Sequence, residues 1–105
     1  MRQHHSNGAL WIGADVVRFS TSLSARLQYS VRGHRMTVYV YDSDRFPLRT
    51  LASLQPQVVR NRVVFVGERR GYSVAVLERR GLGYAVVTDL APDECAALVT
   101  AIPED

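Results

Sequence analysis

Three groups of side chains in this chain are of types that could do chemistry. His34 precedes Asp42 and Asp44 and could serve with either as a base and its orienting carboxylate. Cys95 is the single thiol and could be a nucleophile if a histidine activated it. Two arginine pairs, Arg69-Arg70 and Arg79-Arg80, stand in the repeated tetrapeptide ERRG at 68–71 and 78–81. Paired guanidinium groups are suited to a carboxylate or phosphate.

Each group also has a plainer explanation. Asp42-Ser43-Asp44 lacks the glycine and the later bidentate glutamate of a calcium loop, so it reads as a polar turn. His4 and His5 sit in an N-terminal stretch, 1–8, expected to be disordered, and are not spaced to join His34 in a metal set. One cysteine excludes both an internal disulfide and a thiolate zinc cluster. Cys95 falls on the apolar stripe of a predicted helix, the place of a buried structural thiol. The glycines between Gly67 and Gly83 are spread over two turns and do not make a strand–GxGxxG–helix unit. No catalytic residue, metal ligand or cofactor is assigned, and the chain is expected not to be an enzyme.

The side chains have to be positioned by a small number of elements. The chain has 105 residues, enough for one domain with one core, which we place at 9–105. Apolar residues make up 47% and charged residues 22%, a globular composition that excludes general disorder. No apolar run is long enough to span a membrane, and MRQHHSNG has no secretory signal pattern. The net charge is +3 and every basic residue is arginine, but the arginines are scattered, so nucleic acid is not an expected partner.

Leu10–Phe19 reads as a strand, with Gly13 marking a bulge or bend. In 25–31, Ala25, Leu27, Tyr29 and Val31 share one face and Arg26, Gln28 and Ser30 the other. Arg32-Gly33 is a turn, and Met36–Tyr41 continues the hairpin with Met36, Val38 and Val40 on one side and Thr37, Tyr39 and Tyr41 on the other. Pro47 and Pro56 bound a stretch with room for one or two helical turns. Gln57–Val66 is β-branched and reads as one strand interrupted by Arg60-Asn61-Arg62. Gly71–Leu77 and Leu82–Thr88 are the last two strands. A helix begins near Pro92, with Asp93 and Glu94 at the positive end of its dipole and Cys95, Leu98, Val99 and Ile102 on one stripe. The predicted fold class is α+β: an antiparallel sheet of about five to six strands, in hairpins and a meander, covered by the C-terminal helix.

Strand aromatics and turn arginines are the candidate contact residues. Trp11, Tyr39, Tyr41, Tyr72 and Tyr84 could form an exposed aromatic face, and Arg69, Arg70, Arg79 and Arg80 project at turns. Successive turns of a meander lie at opposite ends of the sheet, so the two arginine pairs need not make one patch.

Two spaced motifs resemble a known family. Gly71, Tyr72, Val74, Leu77, Gly81, Tyr84, Thr88, Asp89 and Leu90 fit a signature G-Y-x-V-x-x-W/L-x-x-x-G-x-x-Y-x-x-x-S/T-D-L before a last helix, and Tyr29, Gly33, Val38, Val40 and Asp42, with His34 at the arginine position, look like an upstream element Y-x-x-x-G-R-x-x-x-V-x-V-x-D. Together they make roughly residues 13–102 similar to the C-terminal region of zinc-finger-type, membrane-anchored bacterial anti-sigma factors. The chain carries neither the family's His-x3-Cys-x2-Cys zinc motif nor its membrane helix. The resemblance therefore implies a non-enzymatic regulatory or sensory domain that reaches a sigma factor only through a module absent from this sequence. It implies a protein partner or self-association, and a periplasmic location if the chain belongs to a full-length anti-sigma factor, otherwise a cytoplasmic one. The alternative is a small-ligand domain with a pocket between sheet and helix.

Overall fold

The computed structural model describes residues 9–19, 22–46, 48–51 and 53–101. Among them, seven strands run β1 (Ala9–Phe19), β2 (Ser22–Val31), β3 (His34–Asp42), β4 (Gln55–Val59), β5 (Arg62–Arg69), β6 (Tyr72–Arg79) and β7 (Leu82–Thr88). A short helical turn, α1 (Leu48–Leu51), follows β3, and α2 (Pro92–Thr100) comes after β7. The strands form one antiparallel sheet in the order β1-β2-β3-β7-β6-β5-β4. The α+β class is as expected, with more strands than the five to six read from sequence. The additional strand comes from 57–66: Arg60-Asn61 is a tight turn, and it divides that stretch into β4 and β5.

That turn belongs to a set. Among the described residues, four two-residue hairpin loops, Arg32-Gly33, Arg60-Asn61, Arg70-Gly71 and Arg80-Gly81, have positive φ at both positions. This is the geometry whose twist matches that of the flanking strands. Glycine or asparagine at the second position takes it without strain, whereas each arginine at the first gives up about 1 kcal/mol.

Alternation along the strands divides the sheet into two faces. On the helix face, Val31, Met36, Val38, Val64, Val66, Ala75, Leu77 and Val86 form one buried cluster with Leu90 and with Cys95, Ala96, Leu98 and Val99 of α2. Ile102, expected on the same stripe, lies outside the described residues, as do 1–8. Ala91 precedes the helix with no side-chain cap, and Pro92, Asp93 and Glu94 make its first turn. Two side-chain contacts hold that end to the β2–β3 turn: an ion pair of Arg32 with Glu94, and a hydrogen bond between His34 Nδ1 and Asp89 Oδ1 at 2.9 Å.

The opposite face has its own cover. The segment after β3 returns over the sheet and buries Leu54 with Tyr41, Val76 and Ala85, with Phe46, Leu48, Phe65 and Val74 at the margin. Tyr41 meets Phe46 edge to face, with ring centroids 6.2 Å apart. Its ring lies over Gly83, where an added Cβ would stand 2.2 Å from the ring carbon bearing the hydroxyl, so residue 83 has to lack a side chain.

Candidate interaction surface

Both covers sit over the same part of the sheet. Helix α2 lies on β4 to β7, and α1 with its flanks lies on β3, β5, β6 and β7. Among the described residues, no element lies over strand β1 or most of β2.

The strand registers turn the helix face into rows that run from this open part into the core. One row is Val16, Ala25, Val40 and Tyr84; the next is Ala14, Leu27, Val38 and Val86; a third is Trp11, Tyr29, Met36 and Thr88. Each begins in solvent: Val16 is 66% exposed and Trp11 45%. The second and third end buried, at Val86 and Thr88. A register shift between Trp11 and Gly13 marks a bulge, and Ile12 there is 53% exposed. Gly13 thus stands where a bulge was expected. Leu27, Tyr29 and Val40 are half-buried beside the core, and burial raises the Tyr29 phenol above its ordinary pKa. On the far face of β1, Asp15 accepts two bonds from Arg26, at 2.9 and 2.5 Å. These bonds lower the Asp15 carboxyl below its ordinary value.

The nine residues singled out from sequence do not converge. Trp11 lies on the open rows. Tyr39 is half-buried on the far face, packed on the Tyr41 cluster. Tyr41 is a correction: it is 3% exposed and part of the core, because the segment after β3 folds back over the outward face of its strand. Arg69, Arg70 and Tyr72 are exposed at the β5–β6 turn. Arg79 and Arg80 are at the β6–β7 turn, at the other end of the sheet. There the Arg79 guanidinium stacks 5.3 Å from the centre of the half-buried Tyr84 ring. Sequence reasoning missed Ile12, Ala14 and Val16. Their signal was present in the apolar first strand, but nothing local shows which strand ends up at an edge.

The groups that could do chemistry are likewise kept apart. His34 stands at the opposite end of β3 from Asp42 and pairs with Asp89 instead. The Cys95 thiol is buried, within 3.6 Å of the Ser73 carbonyl and 3.4 Å of the Val86 carbonyl, and burial pushes its pKa up to about 12. A thiol so placed is a core side chain and not a nucleophile. Among the described residues no three His, Cys, Asp or Glu side chains are grouped to hold a metal ion, and no helix is long and apolar enough to cross a membrane. Buried side chains of both make up the layer between sheet and α2. A groove of about 440 Å³ is lined by Arg35, Thr37, Tyr72, Val87, Thr88 and Asp89, of which strand alternation puts Arg35, Thr37, Tyr72 and Val87 on the face away from the helix. Comparison with known proteins finds no matching family model, no matching curated protein and no matching solved structure.

Proposed function

We propose that this chain is a recognition domain, non-enzymatic, that serves as the regulatory or sensory part of a system controlling a bacterial sigma factor. The observation that carries the recognition reading is the uncovered apolar surface of β1 and β2, where Leu10, Trp11, Ile12 and Val16 are each about half exposed or more. Apolar side chains gathered on one open edge are the usual mark of a surface that another protein covers. The sigma-factor part rests on the two spaced motifs and their similarity to anti-sigma factors. The motif residues serve the fold: Gly33, Gly71 and Gly81 sit in tight turns, Val38, Leu77 and Leu90 are buried, and Asp89 holds His34 beside α2. On this reading a partner on the β1 side alters the state of the domain, and a separate module passes that state to the sigma factor. Removing the chromosomal codons for residues 9–101 and comparing transcripts tests it. A changed regulon of one alternative sigma factor supports the reading; a transcriptome with no such regulon altered sinks it.

A further inference from the structure

We infer that the occupant of the β1 edge is a second copy of this chain, its β1 pairing antiparallel with the first across a two-fold axis beside Val16. The inference deepens the recognition reading above and rests on it. The sheet has two edges, and they are not alike. Strand β4 has five residues and carries Pro56, which cannot donate to a ladder, so that edge is blunted. Strand β1 has eleven residues, no proline and no lysine. Its bulge at Ile12 sets aside the first few residues and leaves Gly13–Phe19 in unbroken register.

That regular run is symmetric about Val16. A two-fold axis normal to the sheet keeps each face on its own side, so opposed residues must share a face. Centred on Val16, the pairing sets Val16 against Val16, Asp15 against Val17 and Ala14 against Arg18, and it uses the whole run. Centred on Asp15 it would oppose two carboxylates, which destabilises a sheet pair. Centred on Val17 it would shorten the ladder, and centred on Ala14 it would bring in the bulge. Only the Val16 register escapes all three faults.

Charge selects the same partner. β1 has no row of like charge: its charged side chains, Asp15 and Arg18, stand on opposite faces, and Asp15 is bonded to Arg26. An acidic or basic peptide would find no opposing row on this edge; a neutral β-branched strand would, and β1 is such a strand. The pairing also runs the Val16–Ala25–Val40 row of one copy into that of the next. Seven paired residues span roughly 24 Å, which sets the contact near or below the ~1,200 Å² lower bound of standard specific interfaces. A contact of that size is of the weak, transient kind, so the dimer forms reversibly.

Sedimentation velocity on the full chain, from low to several hundred micromolar, tests this. The expected result is a reversible monomer–dimer equilibrium that Val16→Lys abolishes and Val58→Lys, on the β4 edge, leaves unchanged. Both side chains are exposed, at 66% and 71%, so both variants should melt as the parent does. Hydrogen exchange at β1 amides should slow as the protein is concentrated. A parent that stays monomeric throughout, a dimer that survives Val16→Lys, or one lost in Val58→Lys would overturn the inference. Its failure is separable from that of the function: a monomer whose deletion still alters a sigma regulon keeps the recognition role and needs another partner.

Discussion

The β4–β7 half of the sheet and the β1–β2 half are built from similar residues and meet different fates. Val64, Val76 and Val86 are fully buried, while Val16 is 66% exposed. Both halves have β-branched strands, and from Gly13 to Phe19 β1 is paired as regularly as the meander. The difference is cover: β5 to β7 have α2 over one face and the α1 segment over the other, whereas among the described residues β1 and most of β2 have neither. Burial here is set by the segment next in the chain after a strand, and only β3 and the meander lead into one that folds back.

Substitutions can break this contrast, beginning with the covered half. Leu98→Asp puts a carboxylate into the layer between α2 and the sheet, where Leu98 is 7% exposed. It should abolish the cooperative thermal transition, and an unchanged melt would refute the packing. Leu54→Ala removes the centre of the second cover and should cost about 2–3 kcal/mol in urea unfolding, the lower part of the range for truncating a buried leucine. Gly83→Ala forces a methyl into the Tyr41 ring and should cost roughly 1–3 kcal/mol by the same measurement. In the open half, Val16→Lys should change the stability of the monomer by less than about 0.5 kcal/mol.

The smallest effect is in pH dependence. Asp15 has its folded pKa depressed by the hydrogen bonds from Arg26. Its contribution is therefore present above the ordinary carboxylate range and is lost as pH falls through the lower, folded value. Asp15→Asn should be slightly less stable than the parent at neutral pH, and the two melting curves should converge in acid. A gap that widened on acidification would show that the ion pair does not act in this way.

Much of the architecture was legible in the residues. The two faces of β2 and β3 followed from alternation, the start of α2 from Pro92 with its acidic neighbours, and the burial of Cys95 from the helical stripe. The division of 57–66 was not legible as such, because Arg60-Asn61 lacks the glycine that marks the other three loops. The burial of Tyr41 was not legible either. Its strand face looks free until the segment containing Phe46 and Leu54 turns back over it, and that return is a tertiary event. The open surface was visible only as one tryptophan, since no local pattern reports that β1 has a neighbour on one side only.

The strand order carries a consequence for synthesis. β1 to β3 form one run of neighbours and β4 to β7 another, and the β3–β7 ladder joins them. β7 is the last of these strands to leave the ribosome. At ~5–20 residues per second, β3 waits several seconds with its inner edge bare. The newborn three-stranded unit thus offers two open margins, β1 and β3, and the finished protein keeps only the first of them, its other edge being the short β4.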